Sequence, residues 1–263
     1  MEMRSNRYRA ALSLLVFLGW ILITAFLPRL WEPVHVTQSL NITVATHFSV
    51  GIAAAIAFLL AAIAVFGWND IGFNRPRSLA SLGLLWFPAV YIGLFAVLGL
   101  AQGPPPIGNA LIILINTAMV GISEEVACRG ILFQGLRSRF SLRGAILGST
   151  LLFGAVHIFN GFSTGDFASA SLQAVTAFMT GIAFMGIRLR TGSLLPGIAL
   201  HAAWDFTSVA STAGTELRHG ANIPAGLDGW QMALPLLFIL PNFLYGLYLL
   251  RHAEQYEGTA TSG

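Results

Sequence analysis

The stretch IGNALIILINTAMVGISEEVACRGILFQGLR, residues 107–137, runs without a charge from Ile107 to Ser123 and then meets Glu124, Glu125 and Arg129. An apolar run of this length reads as a helix long enough to cross a bilayer, which needs about 20 residues. A soluble helix would carry charges along one face. Here they arrive together, in the middle. The composition of the rest of the chain agrees with that reading. Of 263 residues 56% are hydrophobic and only 10% charged, against roughly 25% charged in soluble domains. Mean hydropathy is +0.73. A cytosolic enzyme, a disordered chain and a secreted disulfide scaffold are excluded. The single cysteine, Cys128, allows neither an internal disulfide nor a CxxC motif.

Charge-free runs on either side place further spans at Ala10–Leu27, Phe48–Phe66, Leu79–Leu100, Gly144 to Phe159, Phe167–Ile187, Ser193–Thr212 and Met232–Leu250. With Ile107–Arg137 the expectation is an all-α, polytopic protein of about eight transmembrane helices around a buried polar cavity. Alternating spans put Arg4, Arg7, Arg9, Arg75, Arg77, Arg137, Arg139, Arg143, Arg188, Arg190 and Arg251 on one side, and only Arg29 and Arg218 on the other. That 11-to-2 split predicts that both termini are cytoplasmic. The net charge of +3 therefore marks orientation and not nucleic-acid binding. Arg4, Arg7 and Arg9 precede an apolar run with no small-residue cleavage site, so the N-terminus reads as an uncleaved signal-anchor. No internal repeat is visible, and residues 1–263 read as one domain, with a tail at 258–263 expected to be disordered.

Ionisable residues inside spans mark functional sites, and here they form three groups: Glu124-Glu125 with Arg129, Phe153 with His157, and His201 with Asp205. Counted from the arginine-bearing ends at about 1.5 Å per residue, Glu124, His157 and His201 lie at similar depths of roughly 16–21 Å. One shared site is the economical explanation. Glu125 and Arg129 are i,i+4 and in the favourable order for an ion pair. Glu124, rotated about 100° away, is left for a general base toward water, with His157 to share the proton. His201 and Asp205, also i,i+4, suit stabilisation of an oxyanion. Competing readings are a purely structural Glu125–Arg129 pair, an interhelical hydrogen bond from His157, and a proton site at Asp205 in a transporter. Cys128 reads as a small buried hydrophobe.

Glu124-Glu125-xxx-Arg129 followed by Gly130, Phe153-xxx-His157 and His201-xxx-Asp205, in that order, resemble the three motifs of the CAAX-protease and bacteriocin-processing (CPBP, or Abi) family of intramembrane endopeptidases. The resemblance covers about Ile107–Ser211. It implies a glutamate-dependent protease of eight helices around a cavity opening toward the cytoplasm. By that likeness Glu124 and His157 activate water, Glu125 and Arg129 support the site, and His201 with Asp205 bind the oxyanion. The prenyl-directed members carry Asn where this chain has Asp205, which weakens a prenylated substrate more than it weakens membership. No His-Glu-x-x-His or comparable zinc spacing occurs, so no cofactor is expected. Were a zinc ion used, Glu124, His157 and His201 would be its ligands. The implied partners are a membrane-associated peptide or protein substrate and the lipid bilayer. The alternatives are a non-catalytic membrane scaffold or immunity-type protein, and a proton-coupled transporter.

Overall fold

A computed structural model describes residues 2–30, 39–220 and 233–257. The 258–263 tail, His35 and Met232 lie outside them. Among the described residues every regular element is helical: α1 (Glu2–Phe26), α2 (Leu40–Thr46), α3 (Val50–Phe66), α4 (Trp86–Gln102), α5 (Ile107–Glu125), α6 (Phe133–Arg137), α7 (Leu142–Val156), α8 (Gly161–Thr164), α9 (Phe167–Thr191), α10 (Leu195–His219), α11 (Ala233–Leu250) and α12 (Glu254–Glu257). This is an all-α, multi-pass membrane protein. Leu15, Leu22, Val65, Val97, Leu100 and Leu237 are all more than half exposed, which is tolerable only where lipid replaces water.

Six helical segments are long and apolar enough to cross a membrane, and a seventh is gained if α2 and α3, bent by 80°, count as one span. Length and composition alone thus carry six or seven of the eight expected spans. The remaining one, α10, has the length, but His201, Asp205 and its Ser and Thr residues dilute its apolar character. Sequence punctuation explains the ends. Pro104, Pro105 and Pro106 cannot continue α4, and Pro106 starts α5. Asp166 caps α9 by accepting from the Ser169 amide, and its bonds to Ser169 hold the carboxyl below its ordinary range.

Contacts at the helix ends give the molecule two distinct poles. Arg9 pairs with Asp70 at 2.5 Å and Arg143 with Glu254 at 3.6 Å. Arg190 lies 4.3 Å over the Tyr256 ring, and Arg77 donates to the Tyr256 carbonyl. These residues share the arginine-rich pole. At the far pole Arg218 donates to the carbonyls of Gln102, Gly103 and Pro104 at 2.6–2.9 Å.

The main core lies between α1, α3, α7, α9 and the segment after α5, with Phe17, Leu59, Ile131, Leu132 and Met185 at most 2% exposed. Cys128 is buried among them, as expected of a small hydrophobe. Helices α5 and α10 approach very closely. A Cβ on Gly121 would stand 3.0 Å from both the Ala202 amide nitrogen and the Ile198 carbonyl oxygen. Backbone on both sides of that contact cannot give way, so close approach here requires glycine. Gly121→Val is expected to cost about 1–3 kcal/mol, read as a lower melting temperature of the detergent-purified protein. An unshifted melting temperature would show that this contact does not set the α5–α10 distance.

Candidate active site

Helix α5 does not run straight into α6. Val126–Leu132 form a widened π-helical stretch, a feature frequent at functional sites. Both glutamates therefore stand at the junction of a regular and a widened helix, which the apolar pattern does not reveal. Glu125 and Arg129 keep the expected pairing. Arg129 Nη1 is 3.1 Å from Glu125 Oε1, and both side chains are 1% exposed. The guanidinium also lies 3.8 Å over the Phe153 ring, a cation–π contact strengthened by the absence of water. A Cβ on Gly181 would come within 2.9 Å of Arg129 Nη2, so that position must stay small.

His201 is the centre of the site. Its Nδ1 makes a 2.9 Å hydrogen bond with Glu125 Oε1. Its Nε2 faces Glu124 Oε2 at 3.5 Å and Asp205 Oδ2 at 3.6 Å. One sequence expectation needs correcting here. The 100° rotation between the glutamates was expected to send them apart, yet both reach one imidazole, because His201 lies against the gap between them and offers each a different nitrogen. His201 meets Glu125 through Nδ1 and Asp205 through Nε2. Phe184 lies tilted beside the ring, with centroids 5.1 Å apart at 31°.

His157 stands apart from this cluster. Its Nδ1 is 2.9 Å from the Phe153 carbonyl oxygen, the i−4 bond of its own helix end. It makes no hydrogen bond to Glu124, the partner expected for it. Phe153 is the link: its ring meets His157 edge-on at 5.1 Å and His201 at 6.1 Å. The Phe-x-x-x-His spacing thus carries two functions, one as a spacer and one as a platform for Arg129. Glu124, Glu125, Arg129, His201 and Asp205 are brought together, while His157 joins them only through a shared cavity.

That cavity measures about 910 Å³, and His157, His201 and Asp205 are on its wall. Trp204, Ser208, Gln173 and Thr180 also line it, and none was singled out from sequence. Ser208 was within reach of pattern reading, being seven residues beyond His201 on the same helix face. Phe184 carried no signal among 19 phenylalanines. The cavity does not run toward the arginine-rich pole. Its walls include Leu98 near the end of α4, Leu234 and Pro235 at the start of α11, Gln173 near the start of α9, and Ser208 beyond the middle of α10. All of these lie between the polar cluster and the far pole.

Among the described residues no three His, Cys, Asp or Glu side chains converge so as to hold a metal ion. Glu124, His157 and His201 do not form such a group, and the bond from His157 Nδ1 to the Phe153 carbonyl leaves its Nε2 without a hydrogen bond to Glu124.

A cluster of carboxylates around one imidazole is thus sunk in the helical bundle beside this cavity. Residues 106–207 match the family described as type II CAAX prenyl endopeptidase Rce1-like, a segment that holds all three motifs. This match, over a part of the chain, supports the likeness to the CAAX-protease and bacteriocin-processing family. Neither a curated protein nor a solved structure matches it.

Proposed function

We propose that the protein is an intramembrane endopeptidase of the glutamic type, cleaving a peptide bond of a membrane-associated peptide or protein without a metal ion. The observation that carries this reading is the position of His201, tied by Nδ1 to Glu125 and turning Nε2 toward Glu124, Asp205 and the cavity. Glu124 Oε2 is buried without a hydrogen-bond partner among the described residues, and so keeps a lone pair for the proton of an attacking water.

In the proposed reaction Glu124 takes one proton from water as its oxygen bonds to the scissile carbonyl carbon. The carbonyl π electrons move to oxygen, giving a tetrahedral oxyanion. His201, acting as imidazolium, donates Nε2–H to that oxyanion while Nδ1–H stays on Glu125. Collapse breaks the C–N bond, and the proton held by Glu124 passes to the leaving nitrogen. Asp205 orients His201 or contacts the substrate in its protonated form, because an ionised carboxylate would repel the oxyanion. His157 binds the substrate or assists proton movement from the cavity wall. Arg129 and Glu125 keep the imidazole in place. Arg129 beside the carboxylates supplies the positive charge that a metal would otherwise provide.

Two measurements test this. Membrane peptidomics should show an uncut peptide accumulating in cells that lack the chain, and an unchanged peptidome would leave the scaffold reading standing. With that peptide as substrate, protein stripped by a chelator should keep its turnover. Activity lost on chelation and restored by zinc would overturn the metal-free mechanism.

A further inference from the structure

A second cavity, of about 390 Å³, lies at the arginine-rich pole and shares no lining residue with the one beside His201. It stands between α7, α9 and α11, where small residues bring the outer two helices close to the middle one. A Cβ on Gly154 of α7 would stand 2.6 Å from the Ala174 carbonyl oxygen, and one on Gly246 of α11 2.6 Å from the Ala183 amide nitrogen. Ile146 and Ile182, at most 5% exposed, give the cavity a buried apolar lining.

Its two flanking helices present the same pair of residues. On α7 Arg143 is followed one turn later by Leu147, and on α11 Leu247 is followed one turn later by Arg251, the residue after the helix. Residues four apart in a helix share a face, and all four line the cavity. The leucines are 49% and 44% exposed, as suits side chains turned to lipid. Each arginine stands about one turn nearer the pole, roughly 6 Å. Charge at the mouth and hydrocarbon one turn deeper, on both walls, is the order of groups in a phospholipid.

Both guanidiniums have donors to spare. Arg143 Nη2 is 3.6 Å from Glu254 Oε1, with both side chains mostly exposed, a separation too long for a hydrogen bond and an ion pair of little strength. Arg251 lies 4.0 Å over the Tyr248 ring, and no carboxylate pairs with it among the described residues. Stacking on a ring leaves the N–H edges of a guanidinium open to oxygen acceptors. His252 joins the two arginines in the lining, against the single acid Glu254.

We propose that this cavity binds one anionic phospholipid, its phosphate held between Arg143 and Arg251 and its chains laid along Leu147 and Leu247. A soluble anion would leave the leucines uncovered, and a zwitterionic lipid would bring its own cation to a mouth already positive. The site is independent of the peptidase reading. A lipid seated there bridges α7 and the end of α11, so binding stabilises the fold.

The full chain in detergent is titrated with phosphatidylglycerol and with phosphatidylcholine of the same acyl chains, read by thermal shift and by native mass spectrometry. One phosphatidylglycerol should bind more tightly than any phosphatidylcholine and raise the Tm. An arginine near an anionic headgroup contributes about fivefold in affinity, so Arg143→Gln and Arg251→Gln should each weaken binding about fivefold and the double variant about 25-fold. Arg75→Gln, exposed at the same pole but outside the cavity, should change nothing. Mass spectrometry reads affinity apart from stability, so a less stable variant still gives an answer.

Equal affinity for the two lipids, or an unchanged affinity in the double variant, would overturn the proposal. A loss in Arg75→Gln as large as in the double variant would do the same, since general surface charge would then explain it. Inorganic phosphate that raises the Tm as phosphatidylglycerol does would reassign the cavity to a free anion. Deleting residues 258–263 should leave lipid affinity unchanged. A gain on that deletion as large as the double variant's loss would make the end of the chain the occupant, and the proposal would be wrong.

Discussion

Glu124→Gln is expected to lose about 10² to 10⁴ in turnover while the protein keeps its melting temperature. Glutamine preserves the size of the side chain and an oxygen near His201 Nε2, but its amide has no basicity to take a proton from water. The partner contacts support a clean result, because Glu124 faces His201 at 3.5 Å and is not part of the Glu125–Arg129 pair that holds the helix. His201→Ala should fall by a comparable order, about 10² to 10³ for one lost oxyanion donor. It should also lower stability, since Glu125 Oε1 then loses the 2.9 Å bond to Nδ1. The two variants therefore separate chemistry from support. The site as drawn here would be refuted by a Glu124→Gln protein that turns over at the wild-type rate.

His157 divides the mechanism more finely. If it shared the proton of Glu124, His157→Ala would match Glu124→Gln in turnover at saturating substrate. Its place on the cavity wall, hydrogen-bonded to the Phe153 carbonyl and not to Glu124, favours a role met first on binding. KM is then expected to rise more than kcat falls.

The sequence was most legible where chemistry and depth coincide. Glu125 and Arg129 announce their pairing by spacing alone, and three polar groups at one depth announce a common site. Both follow from helical geometry, which a sequence of this apolarity leaves little freedom to escape. The parts that stayed hidden depend on tertiary placement. Nothing in the order of residues says that α10 presents His201 to the gap between two glutamates, because that requires the approach at Gly121. Nor does the apolar run after Glu125 betray a π-helical stretch, since each of its residues also suits a regular helix. The bonds that tie the loop after α3 to the turn between α9 and α10 stayed hidden for a different reason, since they are made by backbone groups of Ile71, Gly72, Asn74 and Thr191, which carry no sequence signature. The number of spans is obscured by function itself, because the residues that build the site in α10 are those that lower its apolarity.

Arg129→Ala should cost stability before it costs chemistry. Both members of its pair with Glu125 are 1% exposed, and removing one partner of a buried pair leaves an uncompensated charge at about 3–5 kcal/mol. The loss of the guanidinium from the face of Phe153 at 3.8 Å adds to this. Little folded protein is expected to survive detergent extraction, as judged by size-exclusion profile and thermal melting. Low yield by itself would not identify the cause, so the second half of the test is a repair. In Arg129→Met combined with Glu125→Gln the buried charge is gone from both sides, volume is nearly kept, and the glutamine oxygen still accepts from His201 Nδ1. Replacing both members of a buried pair is often neutral where removing one is not, so the double variant should recover most of the folded protein lost in Arg129→Ala. Its turnover should still fall short of wild type, because His201 would face a neutral amide where it now has a carboxylate. Equal instability of the single and double variants would mean that Arg129 supports the fold through packing on Phe153 and not through the charge of Glu125.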